Sequence, residues 1–193
     1  MTENTTTEKT EQIEPRLRKR YEEDIVPELM DILGIDNKLG VPKLKKISLN
    51  IGFGNTKGND SIIEESLKVL QTVTGQKGVI TKARKSVAGF GIRVGDPVGC
   101  KVTLRSSRMY EFLDRLISIV LPRIRDFRGL SPNAFDGDGN YSLGLEEYFV
   151  FPEVNPDELS NLFGMDVTIC TTASDDRGAY ELLRLLGMPF RKQ

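Results

Sequence analysis

Apolar residues recur along this chain with two periods, and each period marks a kind of element. Ile47, Leu49 and Ile51 alternate with Lys46, Ser48 and Asn50, and Cys100, Val102 and Leu104 alternate with Lys101, Thr103 and Arg105. Successive side chains of a strand point to opposite faces, so both segments predict strands with an apolar inner face and an outer face of amide, hydroxyl and cation. Tyr148 to Phe151, an aromatic apolar run, and Asp166 to Thr172, with Val167 and Ile169 inward, predict two more. Elsewhere the period is helical. Leu17, Tyr21, Ile25, Leu29 and Leu33 recur every four residues from Arg16 to Gly34, with Pro27 inside the pattern predicting a kink or two pieces. Ser61 and Glu64 read as a capping box opening a helix whose apolar stripe is Ile63, Leu67 and Leu70, with Val73 alongside and Gly75 as its stop. A third helix is expected from about 107 to 121, with Phe112, Leu113, Leu116, Ile117 and Val120 inward and Pro122 closing it. A last helix is expected from about 175 to 186, burying Ala179, Leu182, Leu183 and Leu186 before Gly187. Strands and helices interleave, yet the strands alternate in polarity. The fold class this predicts is α+β: an antiparallel sheet with helices packed on one face, an open polar face, and a long basic loop between strands.

That loop lies in the stretch from Gln76 to Arg105. Its basic residues are Lys77, Lys82, Arg84, Lys85, Arg93, Lys101 and Arg105, against Asp96 alone, in a chain whose formal net charge is −1. Gly89, Gly91, Gly95 and Gly99 punctuate it, so it cannot pack a core of its own and is expected to be mobile. Long loops within compact domains usually serve a function. Here the excess of cations points to an anionic partner.

Composition narrows the partner. A chain of 193 residues with 38% hydrophobic side chains suffices for one core, so one domain is expected over residues 15–193, preceded by a disordered acidic extension over 1–14. No apolar run approaches a membrane span and the N-terminus has no signal-peptide core, so neither membrane nor secretion is expected. Cys100 and Cys170 lie apart among apolar strand residues, which fits a reduced, cytoplasmic setting. Charge is segregated along the chain. Residues 1–14 hold one basic and four acidic side chains, residues 15–130 hold 22 and 13, and residues 131–193 hold 4 and 11, giving −3, +9 and −7. A basic body fits a polyanion and an acidic end repels one, so the two parts are expected to face different partners.

Other chemistries fit the residues poorly. Gly52-Phe53-Gly54 follows a strand as a dinucleotide fingerprint would, but Lys57 stands at the third glycine position and no P-loop is present. A nucleotide-dependent enzyme built on the Gly52 and Gly54 turn is the alternative function. Asp136, Asp138, Asn140, Ser142 and Glu147 match ligand positions of an EF-hand loop, but Tyr141 occupies the position where the turn needs glycine, so ordinary turn chemistry is preferred. The chain has no histidine, which excludes Ser-His triads and histidine-ligated metals. No catalytic residue, metal, cofactor or small-molecule substrate is expected.

Several segments in order resemble one family. They are Lys43 to Gly52, Gly75 to Ala88, Gly99 to Arg105, Leu121 to Leu130, Phe135 to Ser142, Phe151-Pro152-Glu153, Gly164 to Thr172 and the ending Pro189-Phe190-Arg191-Lys192. From about residue 15 onward the chain is similar to the bacterial large-subunit ribosomal protein that binds 5S ribosomal RNA, number five of the large-subunit series; the acidic extension and acidic overall balance are departures. The resemblance implies a non-catalytic component of the central protuberance, with 5S contacts at Asn50, Gln76 and Thr103. Lys46, Lys101 and Arg105 are placed for phosphate beside them. Gln76 is readable from the sequence only as lying at a helix-to-strand junction. The resemblance further implies that the basic loop, through Lys82, Arg84, Lys85, Ser86 and Arg93, touches the transfer RNA in the peptidyl site. It also implies an intersubunit bridge to a protein of the small-subunit head, for which Asp136, Asp138, Glu146 and Glu147 are the candidates. Large-subunit ribosomal RNA completes the expected partners.

Overall fold

A computed structural model of the chain describes residues 14–53, 60–146, 148–155 and 164–191. The extension expected to be disordered therefore lies almost wholly outside the described residues, as do Gly54, Glu147 and Lys192.

The first helix, α1, comprises α-helical Arg16–Arg20, a π turn Tyr21–Ile25 and α-helical Val26–Leu33. The expected kink at Pro27 is realised as that π turn. Proline donates no N–H and its ring presses on the carbonyl four residues back, and widening the preceding turn relieves the clash, as the Val26 N–H to Tyr21 carbonyl bond shows. The same device recurs in α3, which runs as Ser106–Arg115, a π turn Leu116–Val120 and a last α-helical turn Leu121–Arg123. Pro122 sits inside that last turn and does not close the helix before it. The second helix, α2, is Asp60–Thr74. Ser61 is not its cap: it lies within the helix and its hydroxyl bonds Glu65 Oε1 at 3.2 Å, and the fully buried stripe is Ile62, Val69, Leu70 and Val73. Ile63 and Leu67 are only partly buried. The fourth helix, α4, is Asp176–Leu185, capped by the Asp175 carboxylate, which accepts from the Gly178 N–H.

The strands are β1 (Leu44–Gly52), β2 (Val79–Lys82), β3 (Pro97–Leu104), β4 (Tyr141–Leu145) and β5 (Met165–Thr171). They form one sheet in the order β2-β3-β1-β5-β4, every neighbouring pair antiparallel. Tyr148 to Phe151 is not a strand. Val150 and Phe151 are consecutive and both buried, which does not fit a strand of a sheet with one open face, and the segment turns as a 3-10 helix at Tyr148–Val150. The edge strand in its place is β4, with Tyr141, Leu143 and Leu145 inward and Ser142 and Gly144 outward.

Ile47, Leu49, Ile51, Cys100, Leu104, Val167 and Ile169 are fully buried against the helices in a single apolar cluster. Among the described residues no helix covers the other face of the sheet. Burial pushes the Cys100 thiol up to about 11 and the Tyr21 and Tyr141 phenols up to about 12. Both phenols donate to carbonyls, Tyr21 to Pro42 and Tyr141 to Ser131, each at 2.9 Å. A folded pKa above the unfolded one means the stabilisation is complete below the unfolded value and is lost as pH rises through the folded one. Stability should accordingly fall from about pH 9 to about pH 12. In urea unfolding across that range, Tyr21→Phe and Tyr141→Phe should each reduce the slope; an unchanged slope in both would show that these phenols are not the groups responsible.

Candidate nucleic-acid interface

The strand registers place side chains of the open face in rows. Thr103 pairs with Ser48, Ser48 with Thr168 and Thr168 with Ser142, which lines four hydroxyls across four strands. At roughly 4.8 Å per strand the row is about 14 Å long. Ser142 Oγ and Thr168 Oγ1 lie 3.3 Å apart, and each hydroxyl can donate or accept. The next row reads Val79, Lys101, Asn50, Asp166 and Gly144, with the cation on the β3 side of Asn50 and the carboxylate on the β5 side. Lys46 lies beyond Ser48 on β1, where an extra residue bulges the strand against β5. Gln76 joins this group from the end of α2. Its backbone N–H donates to Thr74 Oγ1 at 3.2 Å, and its side-chain amide donates to the Thr103 carbonyl at 3.4 Å. Asn50 and Thr103, far apart in sequence, thus share one face, and Gln76 reaches the Thr103 backbone from the end of α2. Among the described residues no side chain pairs with the Asn50 amide or the Thr103 hydroxyl, and Lys46, Lys101 and Arg105 form no ion pair.

Residues 83–96 join β2 to β3 and continue their ladder outward. The Ala83 N–H bonds the Asp96 carbonyl and the Gly95 N–H bonds the Ala83 carbonyl, at 2.8 and 3.0 Å. Further out, Val87 bridges Ile92, and the Val94 N–H donates to Ser86 Oγ at 3.0 Å. The loop expected to be mobile is therefore a hydrogen-bonded hairpin extension. Asp96, the stretch's single acid, uses its carboxylate to accept from the Arg93 N–H at 2.8 Å and neutralises no cation among the described residues. Lys82, Arg84, Lys85 and Arg93 are exposed and have no ion pair among the described residues, while Ser86 serves the hairpin itself. Phe90 stands at the tip, 69% exposed, between Val87 and Val94. A large exposed ring among free cations can stack on a base or ribose as well as face water.

Two family descriptions match consecutive parts of this chain: Ribosomal protein L5 over residues 37–93, and the C-terminus of the same ribosomal protein family over residues 97–190. The chain belongs to the ribosomal protein L5 family. It is 52% identical over 178 residues to the large ribosomal subunit protein uL5 of Carboxydothermus hydrogenoformans, covering 92% of this chain and 99% of that protein. It is 55% identical over 177 residues to the protein of the same name from Picosynechococcus sp., covering 92% and 98%. A third, from Anaeromyxobacter sp., is 54% identical over 177 residues with the same coverage.

Membership in the L5 family makes this a structural protein and not an enzyme, which overturns the nucleotide-enzyme alternative. At Gly52 the Phe53 N–H bonds the Val98 carbonyl at 3.0 Å and the Phe53 ring is buried, so this segment extends the sheet, while Gly54 lies outside the described residues. In the acidic third, Asp136 builds a turn. Its carboxylate accepts from the Asp138 N–H, the Asn140 N–H and the Asn140 side-chain amide at 3.0, 3.0 and 2.7 Å. The Asn140 side-chain bond, ahead of the backbone ones, holds its pKa below the usual carboxylate value. The described bridge candidates do not form one patch. Asp136 and Asp138 precede β4 and Glu146 follows it, roughly 20 Å away at a strand's rise per residue. Sequence reasoning missed Thr168 and Ser142, because it read only the inner face of β5 and did not see β4. It also missed Phe90, whose isolation among glycines and cations was the available signal.

Proposed function

We propose that this chain, as a constituent of the large ribosomal subunit, binds 5S ribosomal RNA with the open face of its sheet and helps fasten that RNA to the central protuberance. The observation that carries the reading is that Asn50 and Thr103 share the open face, with Gln76 bonded to the Thr103 carbonyl, beside a hydroxyl row and three cations without ion pairs among the described residues. Hydroxyls and amides suit the 2′-hydroxyls and base edges of RNA, while Lys46, Lys101 and Arg105 suit phosphate. Asp166 repels phosphate at the β5 end, so the RNA backbone runs along the β3 side of the face. Residues 15–193 act as one domain in this role, because core residues from both matched segments share one cluster. Binding of refolded 5S RNA by purified protein, with duplex RNA of equal length as competitor, tests the assignment. Preference for 5S RNA supports it, and indifference between the two RNAs removes it.

In the same proposal the 83–96 hairpin touches the transfer RNA in the peptidyl site, and the acidic third bridges to a basic protein of the small-subunit head. For the bridge, Asp136→Asn with Asp138→Asn removes two charges. It keeps the Asp136 turn, since an asparagine oxygen can still accept from the two backbone N–H groups. Subunit association should weaken in this variant and in Glu146→Gln, most at low salt, where long-range attraction is least screened. Association curves that superimpose on the parent's at every ionic strength would remove the acidic third from the bridge.

A further inference from the structure

The acidic third holds four basic residues, Arg177, Arg184, Arg191 and Lys192, and the first three line one groove. Its floor is aromatic. The Tyr180 and Phe190 rings lie with centroids 4.8 Å apart, and Phe135 packs on both, at 6.3 Å from Tyr180 and 6.1 Å from Phe190. All three rings are half-buried and the three arginines are exposed. The spacing of Arg177, Tyr180 and Arg184 on α4 brings one turn after another onto the same helix face. Arg184 and Arg191 use their Nε–H groups, on Glu181 at 2.7 Å and on the Gly129 carbonyl at 2.9 Å, which leaves their terminal amino groups without a partner among the described residues. Arg177 has no ion pair there at all, and Asp176, the carboxylate in the groove wall, is held by the Gly137 and Gly139 N–H groups. Phe135 also contacts Tyr141, an inner-face residue of β4, so the groove lies on the helical side of the sheet.

We propose that this groove binds an unpaired nucleotide of ribosomal RNA, the base stacked on Tyr180 and Phe190 and the phosphate held by Arg177 and Arg184. Guanidinium groups lining a groove floored by half-buried rings meet both needs of a single-stranded nucleotide. The net negative charge around them disfavours a long duplex, so the ligand is a local, protruding one. An acidic peptide would use the arginines but leave the rings idle. The rows of the open face hold no aromatic side chain among the described residues and work by another chemistry. This site is therefore a second RNA contact, on the opposite side of the sheet, and it stands independently of the 5S assignment.

The chain contains no tryptophan, so Tyr180→Trp gives a unique fluorescent reporter in the full-length protein. Titration with a short, unstructured, mixed-sequence oligoribonucleotide, with and without 5S RNA present, should quench it saturably. Arg177→Gln with Arg184→Gln in the same background should weaken that binding about tenfold or more, with 5S affinity unchanged. Ultraviolet crosslinking of the unsubstituted protein should place the oligoribonucleotide on Tyr180 or Phe190, which guards against an effect of the reporter itself. Absence of both quenching and crosslink, equal binding by the glutamine variant, or equal binding by the duplex form would each overturn the proposal. Tighter binding of a polyglutamate peptide than of the oligoribonucleotide would also overturn it, and would assign the groove to an acidic protein.

Discussion

The double variant Asn50→Ala/Thr103→Ala is expected to bind 5S RNA roughly a hundredfold more weakly than the parent, about 2 to 4 kcal/mol. Each side chain lies on the open face with no hydrogen-bond partner among the described residues, so its removal breaks no bond of the fold and leaves an RNA group unpaired in the complex. The two sit diagonally across the β1–β3 pair, where Asn50 faces Lys101 and Thr103 faces Ser48. Their effects should therefore be less than additive. Lys46→Ala sets the contrast. It should weaken binding modestly and flatten the dependence of affinity on salt by somewhat less than one in log–log slope, since one phosphate contact fewer releases fewer counterions. Filter binding of 5S RNA at several salt concentrations separates the two kinds of loss. A double variant that binds like the parent at every salt would move the 5S contact off this face.

The fold was legible where a period ran clean. β1, β3 and β5 and the helices all announced themselves, because each buries one face and a slip of register would expose it. β4 escaped for a physical reason: it is five residues long, glycine interrupts its outer face, and it starts directly from a turn. The aromatic run after it looked more strand-like but buries consecutive residues, which a compact 3-10 turn allows and a strand with one open face does not. The prolines were seen, but not the π turns, since nothing in a sequence distinguishes a kink from a widened turn.

The site divides in the same way. Asn50 and Thr103 could be placed from alternation alone, because period two fixes which face a residue takes. Gln76 could not. Its place beside Thr103 depends on how α2 ends, with Thr74 holding the Gln76 backbone, and on the register of β2 with β3. Charge asymmetry along the chain pointed to two partners, yet it could not show that Asp136 and Glu146 stand at opposite ends of a strand. Nor could it show that three arginines of an acidic segment share one groove, which requires α4 and the C-terminal residues to fold together over Phe135.

The hairpin extension carries the other large effect. Deleting Lys85 to Val94 joins Arg84 to Gly95, and the two backbone bonds between Ala83 and residues 95 and 96 lie outside the cut. The ladder of β2 and β3 can therefore close over the gap, and the fold and 5S binding should stay nearly intact. Because these bonds already order the loop, binding need not repay the roughly 1 to 2 kcal/mol per residue that fixing a free chain would cost. A preformed basic finger suits a ligand that arrives and leaves. Its four cations without ion pairs among the described residues, Lys82, Arg84, Lys85 and Arg93, can hold phosphates of any transfer RNA without reading sequence, as a site visited by every transfer RNA requires. The triple variant Arg84→Gln/Lys85→Gln/Arg93→Gln should release transfer RNA from the peptidyl site roughly a hundredfold faster, at about 1 kcal/mol per lost contact. It should also lower the salt slope of retention by roughly two to three. Phe90→Ala should speed release without changing that slope, since a stacking contact displaces no counterion. Ribosomes reconstituted with each variant give both readouts. Retention unaltered in the deletion, together with loss of 5S binding, would place the finger on 5S RNA instead.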